Sequence, residues 1–322
     1  MRNRLLKFAL AGCVSVLAGG PALADASWPS KPIRFAIPLA PGTGVDVLAR
    51  AFADSLSKEL NQTIVVENKP GANGMIAVNY FMQQPADGYT MFMAGVSNMA
   101  WNQHLYNSLS YDSLKDFEGV AVFADTPFIS VVSPTLGVKT FAEFRSLVQK
   151  SPDKYSFASA GIGNSTHLAS ELILKRTGMK MVHVPFNGAA GSTGVIAGDT
   201  ALYTTVPGGI SPLIKSGKVI AVAVTGNERL KAFPDVPTYK ELGYEVVVPG
   251  WYSIVMKKGT DKQIITKMNA AINRVLKSPQ MQERLEAQSL AAVESTPEDV
   301  QKLTKRDSAI WAPIINELGI KQ

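Results

Sequence analysis

Short runs of β-branched and aromatic residues alternate along this chain with stretches whose apolar positions recur every three to four residues. Ile33-Arg34-Phe35-Ala36-Ile37 reads as a strand, and Val45, Leu48, Ala49, Phe52, Leu56 and Leu60 then mark one face of a helix. Thr63 to Glu67 is extended again, Met75 to Gln84 is helical, and Tyr89 to Ala94 forms the next strand. This rhythm predicts a mostly parallel sheet covered by helices, an α/β fold. It restarts after about residue 126. Phe141 to Lys150 and Leu168 to Lys175 read as helices, with Tyr155 to Ser159, Val182 to Phe186, Leu202 to Val206 and Val219 to Val224 as strands. The tail from Asp261 is helix-rich, and Thr296-Pro297-Glu298-Asp299 has the make-up of a helix start.

Two apolar extended runs follow proline-containing turns: Phe128-Ile129-Ser130-Val131-Val132-Ser133-Pro134 and Trp251-Tyr252-Ser253-Ile254-Val255-Met256-Lys257. Such a pair carries a chain out of one domain and back into it. Residues 25–126 with 252–322 then form a discontinuous first domain and residues 127–251 a continuous second one. At 322 residues the chain exceeds what a single core comfortably holds.

Residues 1–24 stand apart from this pattern. Arg2, Arg4 and Lys7 precede an apolar stretch from Phe8 to about Gly20, and Ala22-Leu23-Ala24 closes it, which is the pattern of a secretory signal peptide cut near Ala24. The expected location is the periplasm. The apolar run is shorter than the roughly 20 residues of a spanning helix. Leu10-Ala11-Gly12-Cys13 has the local look of a lipidation site, but only five residues separate Lys7 from Cys13 and the apolar stretch continues past it. Cys13 is the only cysteine, so cleavage removes thiol chemistry and cysteine-ligated metals from the mature chain. The chain carries 32 Lys and Arg against 26 Asp and Glu; without Arg2, Arg4 and Lys7 the balance is 29 against 26. No dense basic tract is present, so nucleic acid is not an expected partner.

Three glycine- and hydroxyl-rich loops each join a strand to a helix, where free amides and the helix dipole seat anions. The first is Pro41-Gly42-Thr43-Gly44-Val45-Asp46. Thr43 and Asp46 have the spacing of a capping box, so Asp46 suits its own helix. A loop can cap and bind together, which keeps Thr43, Gly44, Val45 and Asp46 as candidates. The second runs Ser159-Ala160-Gly161-Ile162-Gly163-Asn164-Ser165-Thr166-His167. Capping needs only one of Asn164, Ser165 and Thr166, so the surplus hydroxyls and the amides of Ser159, Ala160 and Gly161 point to a bound carboxylate. His167 lies in the first helical turn, where the dipole disfavours its charged form, so it suits packing or orienting. The third loop runs from Phe186 through Asn187-Gly188-Ala189-Ala190-Gly191 to Ser192-Thr193. Phe186 suits either a wall of the ligand site or ordinary core.

An enzyme is the competing class. Gly163-Asn164-Ser165-Thr166-His167 lacks the second glycine of a nucleophile elbow, and His104, His167 and His183 are the only histidines. No metal-binding motif is present in the sequence, and no cofactor or catalytic residue is expected.

The chain resembles the Bug or TctC-type solute receptors of tripartite tricarboxylate transporters. The likeness lies in "WPSKPIRFAIPLAPGTGVDVLAR", "VVENKPGANG", "ADGYTMFMA", "YDSLKDFEGVAVF", "YSFASAGIGNSTHLASELI", "MVHVPFNGAAGS", "IKSGKVIAVAVTG", "FPDVPTYKELG" and "STPEDV", in that order from Trp28 to the end. The resemblance implies a type II periplasmic binding protein: two α/β domains joined by a two-strand hinge, with a ligand cleft between them. It implies a monomer that captures a small organic carboxylate for membrane transporter subunits, or that reports it to a sensor kinase. By the same likeness Thr43, Gly44 and Val45 match a first-domain ligand contact, and Gly161, Asn164, Ser165 and Thr166 a second-domain one. Ser97 and Asn98 border the cleft. Many members carry an aspartate where this chain has Thr204. A neutral residue there favours a dicarboxylate or an aromatic carboxylate over a zwitterionic amino acid.

Overall fold

The computed structural model describes residues 28–186 and 190–322. The segment expected to be a signal peptide, with Cys13, and Asn187, Gly188 and Ala189 of the third loop, lie outside the described residues.

A first series of elements comprises β1 (Ile33–Ile37), α1 (Gly44–Leu60), β2 (Ile64–Asn68), α2 (Met75–Met82), β3 (Thr90–Gly95), α3 (Asn102–Leu105), α4 (Ser113–Asp116) and β4 (Phe117–Asp125). A second comprises β5 (Ile129–Val132), α5 (Phe141–Lys150), β6 (Ser156–Ser159), α6 (Ser165–Thr177), β7 (Val182–Pro185), α7 (Gly191–Ala197), β8 (Leu202–Thr205), α8 (Pro207–Lys215) and β9 (Ile220–Val224). The chain returns through β10 (Trp251–Lys257) and ends in α9 (Lys262–Lys277), α10 (Pro279–Ala287) and α11 (Pro297–Leu318). Two five-stranded sheets result, ordered β2-β1-β3-β10-β4 and β7-β6-β8-β5-β9. Each sheet, with the helices that cover it, is called a lobe below.

The sheets are mixed rather than mostly parallel. Strands joined by helical crossovers run parallel, as β1 does with β2 and β3, and β6 with β7 and β8. The two strands that arrive from the other lobe are wedged in antiparallel: β10 between β3 and β4, and β5 between β8 and β9. The two connections between sheets meet where the Thr126 N–H donates to the Gly250 carbonyl at 2.7 Å. Position 250 must be glycine, because a Cβ there would collide with the Thr126 carbonyl. The indole of Trp251, at the start of β10, donates to Asp307 of α11 at 2.7 Å, and Arg306 pairs with the same carboxylate.

The helical pattern of α1 packs as its spacing dictates. Val45, Leu48, Ala49, Phe52 and Leu56 are buried, and Phe52 meets Phe35 and Phe123 edge-on. Burying such side chains contributes about 1.5–3 kcal/mol each. Thr43 starts this helix, its side chain accepting from Asp46 N–H. In the second lobe, α5 opens on a capping box of Thr140 and Glu143 and buries Phe141, Phe144 and Val148. Among the described residues no helix is long and apolar enough to cross a membrane.

Candidate ligand-binding site

A cavity of about 100 Å³ lies between the sheets. The first lobe presents Leu39 after β1, Asn73 and Gly74 before α2, Ser97 and Asn98 after β3, and Tyr252 on β10. The second presents Asn164 and Ser165 at the start of α6, Phe128 before β5 and Val206 after β8. Among the described residues no charged side chain lines it. Ser97 and Asn98 open a π-helical turn (Ser97–Trp101) and are buried, with Asn98 Nδ2 donating to the Asn73 carbonyl at 3.3 Å. Burial pushes the Tyr252 hydroxyl up to about 12, so it stays a neutral donor at physiological pH.

The second loop is shaped by its own polar groups. Asn164 caps α6, its Oδ1 accepting from Thr166 N–H at 3.0 Å. The Thr166 hydroxyl accepts from Ala160 N–H at 2.8 Å. The Ser159 hydroxyl accepts from Gly161 N–H and meets His183 Nε2 at 2.7 Å. Gly161 and Gly163 have φ of 129° and 71°, which only glycine takes readily. His167 Nδ1 accepts from Gly163 N–H at 3.1 Å, and its ring stacks on His183 at 3.8 Å. These bonds leave Asn164 and Ser165 as the loop's side chains on the cavity, while Ser159, Ala160, Gly161 and Thr166 sit behind it.

In the first loop the helix-capping geometry predominates. Asp46 is buried, accepting from Gly42 N–H at 2.8 Å, Asn68 Nδ2 at 2.7 Å and Arg50 Nε at 3.2 Å. Burial works against its charge, but the bonds from Asn68, Gly42 and Arg50 outweigh it and hold the carboxyl below its ordinary value. The chain just before this loop reaches the cavity through Pro38 and Leu39; Thr43, Val45 and Asp46 do not line it. Phe186 packs on the core cluster around Val195 and Tyr203 rather than on the cavity.

Thr204 lies inside the second lobe. Its side chain is fully buried, with Oγ1 at 2.9 Å from Ser130 Oγ, which accepts from the Tyr239 hydroxyl at 2.7 Å. The register that sets Ser130 opposite Thr204 turns this hydroxyl into a cross-strand partner within the second lobe. Thr204 is therefore absent from the cavity wall, and the chain reaches it two residues on, at Val206.

The family model described as the tripartite tricarboxylate transporter family receptor matches residues 48–320. The chain belongs to this receptor family. The protein BugT of Bordetella pertussis is 33% identical over 328 residues, covering 99% of this chain and 98% of that one. Among solved structures, Rpa4515 of R. palustris with adipate is 28% identical with a TM-score of 0.87, covering 91% of this chain and 99% of that one. MatC of Rhodopseudomonas palustris with bound malate is 26% identical with a TM-score of 0.83, covering 89% and 100%.

The receptor's cavity also draws on residues that sequence reasoning did not single out as ligand contacts: Asn73, Thr126, Val206 and Gly250, with Trp251 and Tyr252 expected only as a crossing. Asn73 stands in the "KPGANG" turn, which reads as punctuation between a strand and a helix. Its amide faces the second lobe, a placement that spacing within the turn does not reveal.

Proposed function

We propose that this receptor works in the periplasm, capturing a small dicarboxylate in the cleft between its lobes and presenting it to a transporter of the tripartite tricarboxylate type. The carrying observation is a cavity with polar atoms from both lobes and no charged side chain among the described residues, set at the start of α6. There a carboxylate meets the Ser165 hydroxyl and the positive end of the helix dipole. Ser97, Asn98 and the neutral Tyr252 hydroxyl offer hydrogen bonds on the facing wall, while an ammonium group would find no counter-charge. The adipate and malate bound by the two solved relatives are both dicarboxylates.

A hydrolase reading lacks support in the geometry. His167 spends Nδ1 on Gly163 N–H, and the Ser165 hydroxyl is directed at Asn164 Oδ1 at 3.4 Å. Calorimetry with adipate, malate, benzoate and glutamate tests the proposal. Adipate or malate should bind stoichiometrically, without turnover and more tightly than glutamate. A preference for glutamate would refute the dicarboxylate assignment, and a preference for benzoate would assign the Phe128 and Trp251 walls to an aromatic ring.

A further inference from the structure

We propose, on the receptor reading above, that Asn73 is the latch that holds the cleft shut over its ligand, a positioning residue that sets how long the ligand stays. Asn73 sits between β2 and α2 with φ 49° and ψ 37°, flanked by Ala72 at φ 45° and Gly74 at φ 82°. This left-handed backbone is one asparagine tolerates better than most side chains, and it turns the amide toward the other lobe. Nδ2 donates to the Gly163 carbonyl at 3.2 Å and to Asn102 Oδ1 at 3.0 Å, while Oδ1 accepts from Asn164 Nδ2 at 3.1 Å. Both donor hydrogens are used, and the Gly163 carbonyl fixes which end of the amide faces it.

The two cross-lobe partners lie 90 and 91 residues away in the chain, and Asn164 lines the cavity and caps α6. Behind Asn73 the network continues into the first lobe. Asn102, fully buried, donates to the Tyr111 hydroxyl at 3.2 Å, and that hydroxyl donates to the Asn98 carbonyl at 2.7 Å. Asn98, the next link, is itself on the cavity wall. Beyond Gly163, its own N–H is held by His167. The latch is thus braced on each side by groups that touch the ligand space. A second side-chain amide, that of Gln322 beyond α11, donates to the adjacent Ile162 carbonyl. Two successive carbonyls of the second loop are therefore clasped from the first lobe.

These cross-lobe bonds exist only when the lobes are together; apart, every group in them returns to water. Removing the Asn73 side chain should leave encounter with the open cleft unchanged and speed escape from the closed one. Asn73→Gly suits the test because glycine accepts the left-handed backbone, so folding is retained. Stopped-flow tryptophan fluorescence with adipate and malate should show dissociation about tenfold faster, the loss of one to two hydrogen bonds, with association within about twofold and a loss of ligand-free stability, from the Asn102 bond, smaller than the loss of affinity. Asn73→Asp, which keeps an acceptor for Asn164 but points a carboxylate at the Gly163 carbonyl, should dissociate faster still. A wild type that binds these acids while Asn73→Gly releases them at the wild-type rate overturns the latch alone. Faster release matched by an equal loss of ligand-free stability also overturns it. A wild type that binds neither acid overturns the receptor reading and the latch with it.

Discussion

At the residue scale, the neutral side chain at position 204 is tied into the interior of the second lobe. Tyr239, Ser130 and Thr204 form a chain of hydroxyls inside the second lobe, and burial there pushes the Tyr239 hydroxyl well above its ordinary value. An aspartate in place of Thr204 would bring a charge into this network with no cation to meet it. Thr204→Asp should therefore cost about 3–5 kcal/mol of folding stability, whereas Thr204→Ser, which keeps the hydroxyl, should cost under about 1.5 kcal/mol. Urea unfolding of the two variants checks this. A Thr204→Asp protein as stable as wild type, with altered ligand preference, would return the residue to the site. The sequence shows a threonine at a strand end but not the facing strand, so the register that buries it was hidden.

At the element scale, most of the fold was legible and the site only in part. Strands β1, β3 and β10 and helices α1, α5 and α6 fall where periodicity and capping residues place them, because those signals are local. The antiparallel entry of β5 and β10 was not legible, since it depends on where a strand comes from. The second loop was recognised from its surplus of hydroxyls, yet Ser159 and Thr166 serve the loop's own backbone and only Asn164 and Ser165 face the cavity. Helix α6 leans on β7 through the stack of His167 on His183, with Phe157 against His183 at 4.9 Å and Glu171 beside His167. Burial first, and then the neighbouring His167, push His183 from 6.5 down to about 4, against the opposing pull of Glu171. The folded state thus resists a proton that the unfolded chain accepts. Stability from this stack is complete above pH 6.5 and is lost as pH falls toward about 4. Solvent reaches part of the ring and screens the effect, so the loss should be about 1–2 kcal/mol. Thermal unfolding from pH 7 to 4 should show this decline, and His183→Phe, which keeps a stacked ring without a proton to gain, should flatten it. An unchanged slope in that variant would assign the pH response elsewhere.

At the scale of the whole molecule, two sheets are joined by two connections that share the Thr126–Gly250 hydrogen bond. Trp251 on Asp307 anchors the return connection to α11. Among the described residues the polar ties between the lobes include the amides of Asn73 and Gln322 on the second loop, Lys175 and Arg176 of α6 on Glu317 of α11, and the Ser211 hydroxyl of α8 at 3.5 Å from that of Ser289. The Glu317 pairs are solvent-exposed and contribute little, typically 0–1 kcal/mol each. Separating the lobes gives up these polar bonds together with packing of α6 against α11 and of α1 against α8, and a ligand touching both walls shifts the balance between open and closed forms. The motion expected is a hinge rotation about residues 125–127 and 249–251, with each sheet moving as a unit. Adipate or malate at saturation should then reduce the radius of gyration measured by small-angle scattering. At 100 times the dissociation constant it should also add about 2.7 kcal/mol to unfolding stability. The two measurements separate binding from closure: stabilisation with an unchanged radius would mean that the ligand occupies lobes that do not move, and would remove the hinge while leaving the receptor.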